Sequence, residues 1–334
     1  MNLANSINII DTHAAGEPIR IITGGIPTLH GDNMFEKMEY MEKNYDYLRS
    51  ATMCEPRGHR EMVGAVLTEP TTKEAHIGLF YIDTRGYAPM CGAGALAVGK
   101  AMVETGMVIK KEPVTTVVMD TPSGLIKAYV TVEDGEATSV SFENIPSFLY
   151  RTDVEITVPG LGEISVDIGY GGNFFIFVDV EPLGLEIAPE NMRTMAELGM
   201  IILKSANESI KVEHPSKKEI TFLNDLMFCK TPEKPNENYK NFVVFGDTQA
   251  DRSPCGTGTC ARMARLYAKG KLKLNEEFVH ESAIGTIFKG ELIKEEKVGD
   301  LVAVIPRLTG ETFITGFNNF VIDEKDPLKY GFLV

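Results

Sequence analysis

Two cysteines stand in matching surroundings half a chain apart. The stretch CGAGALAVGKAMVETG starts at Cys91, and CGTGTCARMARLYAKG starts at Cys255. Each begins Cys-Gly-x-Gly-x-x-Ala, and each has a glycine fifteen residues after its cysteine. A free cysteine is most often a small buried residue without reactivity. The shared motif, helix length and half-chain spacing instead predict two related halves, each with a cysteine just before a helix.

This pattern suggests a defined chemistry. A glycine-rich turn before a helix exposes backbone N–H groups, and the helix dipole adds positive charge there. Such a helix end can bind a carboxylate or phosphate, and it lowers the pKa of a cysteine. If two of these ends face one cleft, a small carboxylate between them has a sulfur on each face. One thiolate can then remove the proton next to the carboxylate, and the other thiol can return one from the opposite side.

Other functions of these cysteines are less favoured. Nothing in the sequence pairs His13 or His59 with a cysteine, as acyl transfer would need. There is no C-x-x-C and no histidine near CGTGTC, so no metal site is predicted. GAGALAVGK lacks the Gly-Lys-Ser/Thr ending of a P-loop, and GAGALA matches the dinucleotide fingerprint only loosely. Cys54, Cys229 and Cys260 are interpreted as structural.

Composition limits the class of protein. At 334 residues, two domains are expected rather than one. The formal net charge of −14 opposes binding to nucleic acid or to an anionic membrane surface. The five cysteines are odd in number and widely spaced, which is not a disulfide framework. No secretory signal or membrane-spanning run is visible, so a cytoplasmic protein is expected.

The elements that must position the cysteines can be outlined. INIIDTHAAGEPIRIITGGIP predicts two strands around a Gly-Glu-Pro turn. DNMFEKMEYMEKNYDYLRSATM has the apolar spacing of an amphipathic helix, with Asp32 as its cap. A second such helix is predicted over PENMRTMAELGMIILKSANESI. ENIPSFLYRTD is expected to cross between the domains.

Six segments resemble one known family along nearly the whole chain. They are DTHAAGEPIRIITGGIP, EPRGH, MCGAG, GGNFF, DRSPCGTGT and TGFNNFVIDEKDPLKYGF. The chain is similar to the proline racemase family, which includes hydroxyproline 2-epimerases. The resemblance implies an α+β fold like that of diaminopimelate epimerase, with two pseudosymmetric domains that each wrap a mixed sheet around a central helix. The expected domains are 1–142 with 312–334, and 143–311.

The resemblance also implies roles for particular residues. Racemisation would use Cys91 and Cys255 as acid and base and would need no cofactor. Backbone N–H groups would bind the substrate carboxylate, those of Gly92, Ala93, Gly256 and Thr257. The Asp251 carboxylate would bind the ring amine, and Phe245 would contact the apolar face of the ring. The protein would be a homodimer that acts on a small amino acid.

One position departs from the family pattern. Family members usually read Met-Cys-Gly-His, whereas this chain has Ala93 at the histidine position. We therefore expect weaker turnover of proline, or preference for a different or larger amino acid. Proline remains the leading substrate, and epimerisation of 4-hydroxyproline is the alternative reaction. The alternative from a different functional class is an inactive homologue that binds amino acids. A branch that dehydrates trans-3-hydroxyproline carries threonine in place of the second cysteine, so Cys255 argues against that branch.

Overall fold

The structure is a computed structural model of the chain. It describes residues 3–218, 220–221, 223–234, 237–246 and 248–334. These residues form two compact units. Unit 1 runs up to Phe142 and also contains Gly310–Val334, and unit 2 is Glu143–Thr309. In the described part of the chain, no helix combines the length and apolar character needed to cross a membrane.

Most of unit 1 is built from the first ten elements of the chain. They are β1 (Leu3–Ala14), β2 (Glu17–Gly24), α1 (Met34–Met53), β3 (Val63–Thr68), β4 (Ile77–Asp83), β5 (Tyr87–Ala88), α2 (Gly92–Glu104), β6 (Val114–Thr121), β7 (Gly124–Glu133) and β8 (Glu136–Glu143). The sheet is mixed, because β2 pairs with β3 and β4 with β6 in parallel. The β1–β2, β3–β4, β4–β5, β6–β7 and β7–β8 pairs are antiparallel.

Unit 2 repeats this order. Its elements are β9 (Ser147–Val158), β10 (Gly162–Tyr170), β11 (Phe174–Asp179), α3 (Met192–Ser209), β12 (Leu223–Lys230), β13 (Tyr239–Phe245), β14 (Gln249–Ala250), α4 (Gly256–Ala268), β15 (Phe278–Glu281), β16 (Ile287–Val298) and β17 (Leu301–Gly310). The β11–β12 and β13–β15 pairs are parallel. The β10–β11, β12–β13, β13–β14 and β15–β16 pairs are antiparallel. The predicted pseudosymmetry is therefore confirmed.

The last strand of the chain belongs to unit 1. This strand, β18 (Thr312–Asp323), pairs antiparallel with β1. In unit 2, the equivalent position beside β10 is taken by β9, which directly precedes β10 in the chain. Both units therefore have a strand at this position, but the strand of unit 1, β18, follows unit 2 in the sequence.

Each unit surrounds one helix with its sheet. Apart from Lys100 and Glu104, the α2 sequence GAGALAVGKAMVE consists of apolar or small residues, and all of these are buried, as expected for a helix at the centre of a sheet. It contacts β1, β2, β3, β6, β7 and β18. Its counterpart α4 contacts β9, β10, β11 and β16, and its residues from Gly256 to Leu266 are buried. The expected sheet around a central helix is present in both units.

Two local predictions are wrong. The first turn is formed by Ala15 and Gly16, not by Gly-Glu-Pro, because Ala14 already pairs with Glu17. Both turn residues have positive φ, 49° and 97°, as a two-residue hairpin turn of this hand requires. A two-residue turn of this kind matches the twist of the strands that it joins. The strand β2 therefore begins directly after the turn, at Glu17.

The cap of α1 is Asn33 rather than Asp32. The Asn33 side chain accepts the Glu36 N–H at 3.0 Å. The Glu36 carboxylate in return accepts the Asp32 N–H at 2.8 Å. Two donors at the helix start are satisfied together, which stabilises this end by about 1 kcal/mol. The methionines of the predicted apolar face, including Met34 and Met41, lie in the core of unit 1.

Candidate active site

Cys91 lies immediately before the central helix of unit 1. It has an extended backbone, with φ −144° and ψ 119°, and is the N-cap of α2. Its Sγ accepts the Gly94 N–H at 3.4 Å, and the residue is half-buried. The free N–H groups of the first turn and the helix dipole favour negative charge at this point. The Cys91 sulfur therefore lies at the positive end of the α2 dipole.

Cys255 occupies the same position in unit 2 but in a different state. Its φ is +64° and its ψ is 120°, and only 9% of it is exposed. Burial raises the pKa of the Cys255 thiol well above its usual value, and the charges of Asp251 and Asp225 raise it further. The Gly258 N–H and the Thr257 hydroxyl oppose this increase only partly. Cys255 is therefore held as a neutral thiol.

Glycine is required at the third position of each central helix. A Cβ on Gly94 would lie 2.3 Å from Cε1 of Tyr81, whose ring is fully buried. A Cβ on Gly258 would lie 2.6 Å from Cε of Met227 and 3.1 Å from the Cys255 Sγ. The second glycine of each Cys-Gly-x-Gly motif thus allows the helix start to pack closely against its sheet.

A buried hydrogen-bond network precedes α4. The Asp251 Oδ1 accepts both the N–H and the hydroxyl of Ser253, at 2.8 Å and 2.7 Å. The Ser253 Oγ in turn accepts the Cys255 N–H at 3.0 Å. Burial raises the pKa of Asp251, and the bonds from Ser253 and Cys255 act against that rise. The carboxylate and the thiol are thus parts of one connected group.

The remaining candidates of unit 2 surround the same cysteine. Phe245 is half-buried at the end of β13 and packs against the apolar cluster that contains Cys255. The Thr257 Oγ1 lies 3.9 Å from the Cys255 Sγ. Gly256 is the first residue of α4 and is buried. The five unit 2 candidates therefore lie in one neighbourhood, with Asp251 joined to Cys255 through Ser253.

The unit 1 candidates form the second group. Cys91, Gly92 and Ala93 are consecutive at the start of α2, and Ala93 is buried. Beneath them lies Tyr81, whose hydroxyl has no hydrogen-bond partner within the described residues. Burial raises the pKa of Tyr81 well above its usual value, and the proximity of Cys91 adds to this.

Ser253, Asp225 and Tyr81 were missed by the sequence-based prediction. The sequence did contain a signal for Ser253, because aspartate and serine side chains often accept the backbone N–H group two residues further on. Ser253 stands two residues after Asp251 and two before Cys255. An acid inside the apolar run LNDLMFCK was a signal for Asp225. Tyr81 gave no signal, since a tyrosine in a buried strand is ordinary.

The other cysteines are enclosed in the cores. Cys54, Cys229 and Cys260 are all buried, and burial raises the pKa of each thiol, that of Cys260 to about 12. Within the described ranges, no group of three or more histidine, cysteine or acidic side chains is arranged to hold a metal ion.

Each unit has a cysteine at the start of its central helix, and this repeat within one fold indicates the class of protein. The fold is α+β, of the diaminopimelate epimerase type. The family model described as proline racemase matches residues 9–333. The chain belongs to the proline racemase family. The expectation of an isomerase of the racemase and epimerase class is confirmed by this membership.

Individual relatives cover the full chain. A proline racemase of Clostridioides difficile is 49% identical over 334 residues and covers 100% of both chains. A 4-hydroxyproline 2-epimerase of Streptosporangium roseum is 41% identical over 334 residues, again with 100% of both chains covered. A solved hydroxyproline epimerase from Agrobacterium vitis, with bound trans-4-OH-L-proline, matches with a TM-score of 0.92 and 32% identity. That match covers 100% of this chain and 96% of the other.

Proposed function

We propose that the protein is a cofactor-independent amino-acid racemase or epimerase that inverts Cα through Cys91 and Cys255, with proline as its leading substrate. The observation that carries this proposal is the repeated placement of a cysteine at the start of the central helix in each pseudosymmetric unit. Family membership and the racemase and epimerase relatives support the same reaction class.

In this mechanism the two sulfurs exchange roles. A thiolate removes the proton from Cα, and the electron pair passes into the carboxylate to give an enolate-like species. The opposite thiol then delivers its proton to the other face of Cα. Each turnover moves one proton from substrate to the first cysteine and one from the second cysteine to product. General acid–base catalysis of this kind contributes about 10²–10⁴-fold.

Backbone N–H groups stabilise the developing charge. The first-turn amides of α2 and α4 have no helical acceptors, so Gly92, Ala93, Gly256 and Thr257 can donate to the substrate carboxylate. Asp251 binds the substrate amine, and Phe245 contacts the apolar face of the ring. The Asp251 carboxylate is buried, so pairing with a cation compensates a charge that is costly when it stands alone.

The resting protonation states differ between the two cysteines. Cys255 is the buried thiol between two acids, so it begins as the proton donor. Cys91 is the more exposed of the two sulfurs and stands at the start of α2, and we assign it the role of the base. The resting enzyme is therefore set to receive one enantiomer, and the product state, with the roles reversed, is set to receive the other.

The substrate is the open part of this proposal. Ala93 supplies its backbone N–H but no ring nitrogen, so a side-chain contact that the family pattern provides is missing. 4-Hydroxyproline, named for the Streptosporangium roseum relative, is the second candidate substrate. The alternative function is that of an inactive homologue that binds amino acids, because the loss of a substrate contact can abolish catalysis.

We also propose the setting in which the enzyme works. The two units are its two domains, and the active protein is a cytoplasmic homodimer that binds a small amino acid. The net charge of −14 supports the absence of nucleic-acid or membrane partners. Sedimentation velocity of the purified protein tests the dimer.

Solvent exchange tests the function. The protein is incubated in D₂O with L- and D-proline, 4-hydroxyproline and a panel of other amino acids. Deuterium at Cα together with loss of optical rotation is the expected result for at least one of them. Binding without exchange across the whole panel would instead identify the inactive homologue.

A further inference from the structure

Ser253 connects two groups that the proposed mechanism uses. It is 1% exposed, and its hydroxyl bridges the Asp251 Oδ1 at 2.7 Å and the Cys255 N–H at 3.0 Å. A serine hydroxyl has one proton to donate. Because the Cys255 amide can only donate, that single proton is directed to the Asp251 Oδ1, which accepts it. The bridge therefore has one polarity, running from the cysteine amide through Ser253 to the carboxylate.

The equivalent place in unit 1 lacks this bridge. Pro89 stands two residues before Cys91, and proline has neither a hydroxyl nor an N–H group. Cys91 has an ordinary extended φ of −144°, whereas Cys255 has φ +64°. For a residue with a side chain, a sparsely populated conformation costs about 1–3 kcal/mol and persists only where the surroundings hold it. The bond from the Cys255 N–H to Ser253 is such a restraint.

We infer that Ser253 is a positioning residue for Cys255: its hydroxyl holds the cysteine backbone in its positive-φ conformation and couples it to the Asp251 carboxylate, an inference that rests on the two-cysteine function proposed above. Ser253 itself need not touch the substrate. Its effect passes through the orientation and the protonation of Cys255.

The charges around the thiol give the direction of the effect. Cys255 faces Asp251 from its own segment and Asp225 from β12, and Arg252 acts on Asp251. Removing the Ser253 hydroxyl takes a donor from Asp251, so that carboxylate protonates at higher pH. At the much higher pH where the Cys255 thiol ionises, Asp251 is charged, and without the Ser253 donor its negative charge acts on Cys255 more strongly. The thiol therefore ionises at higher pH.

The test uses Ser253→Ala in the full-length protein with Ser282→Ala as matched control. Ser282 is also fully buried, and its Oγ bonds to the Thr286 hydroxyl at 2.7 Å and accepts the Thr286 N–H at 3.2 Å. The control therefore removes a similar hydroxyl from a turn between β15 and β16. Cys255 alkylation by iodoacetamide is followed against pH by peptide mapping, and kcat/KM against pH is measured with the substrate found by solvent exchange.

For Ser253→Ala, the alkylation midpoint of Cys255 should rise by about one pH unit. The acid limb of the kcat/KM profile should move up in pH, and kcat should fall about 10–100-fold because the thiol is misplaced. Ser253→Thr keeps the hydroxyl and should restore both profiles. Ser282→Ala should leave both unchanged.

An unchanged alkylation midpoint in Ser253→Ala, or an equal shift in Ser282→Ala, overturns the inference. If Ser253→Ala does not fold, Ser253→Cys replaces it, because a thiol is a weaker donor of similar size; an unshifted acid limb then counts against the inference. If the wild type exchanges no Cα proton with any amino acid, the proposed function fails, while the alkylation midpoints still test the role of Ser253.

Discussion

The two central helices begin differently although they lie in the same sheet topology. At the start of α2, Cys91 is half-buried, extended and bonded to the Gly94 N–H. At the start of α4, Cys255 is buried, has a positive φ and is close to two acids. A reaction that treats both faces of a carbon alike still needs one base and one acid at rest. Under the proposed function, the repeat supplies the two sulfurs, and the local differences between them decide which one carries the proton at rest.

The largest effect is expected on removing either sulfur. Cys91→Ser and Cys255→Ser should each lower racemisation at least about 10³-fold, because a serine hydroxyl ionises too weakly to replace a thiol as acid or base. Loss of optical rotation is the measurement. Cys54→Ala, which removes a buried thiol of the unit 1 core, should retain activity. Full activity in either serine variant would refute the two-base scheme.

A second difference is how each helix is held to its sheet. Arg265 of α4 binds Asp179 at 2.7–2.8 Å and also binds Asp167, whereas Ala101 stands at the matching position of α2. Burial disfavours the ionised form of Asp167, but Arg265 and hydrogen bonds including that from Lys269 outweigh it and lower the pKa to about 2. Asp167→Asn should cost about 3–5 kcal/mol of unfolding free energy.

The same carboxylate gives a pH dependence. The pKa of Asp167 in the folded protein is below the ordinary value of 3.8. The ionised carboxylate therefore contributes fully to the free energy of unfolding above that pH, and this contribution is lost as the pH falls towards about 2. Urea unfolding between pH 5 and pH 2 should show this loss in the wild type and much less of it in Asp167→Asn. Asp11→Asn, the more exposed counterpart bound to Arg20, should cost less. Equal costs for the two variants would remove this distinction between the units.

The glycines at the third helical position should separate stability from activity. Gly94→Ala forces a Cβ into the fully buried Tyr81 ring, so unfolding free energy should fall by about 1–3 kcal/mol. Gly258→Ala meets the movable end of Met227 but also the Cys255 sulfur, so it should lose less stability and more activity. Gly86→Ala, with open space around it, is the control. The reverse order would contradict this assignment.

The smallest effect is expected at Ala93. Ala93→His should raise kcat/KM for proline about tenfold, since it restores a polar side chain at the substrate. Ala93→Leu adds bulk without a ring nitrogen and should not raise it. Equal proline kinetics for wild type and Ala93→His would show that this position does not set the substrate.

Much of the framework was predictable because it is encoded locally or by repetition. The match between the Cys91 and Cys255 segments predicted the pseudosymmetry, and apolar spacing predicted α1 and α3. The errors at Asp32 and at the first turn are shifts of one or two residues. Such shifts arise because neighbouring polar residues compete for the same role at a helix or strand end.

The state of each sulfur was not predictable. The burial of Cys255 and its nearness to Asp225 depend on how β12 and α4 pack, and these segments are distant in sequence. Its positive φ likewise has no marker, since cysteine has no preference for that conformation. The motif therefore predicted the two cysteines of the proposed mechanism, but not the difference in burial and charge between them.

The pairing of β1 with β18 has a consequence for how the chain is made. In unit 2, β9 and β10 are adjacent in sequence and can join as soon as both have left the ribosome. In unit 1, β1 is synthesised before unit 2, whereas its neighbour β18 is synthesised after unit 2. An uncovered strand edge is a template for wrong pairing. Unit 1 therefore presents an uncovered β1 edge until the segment that forms β18 has been synthesised.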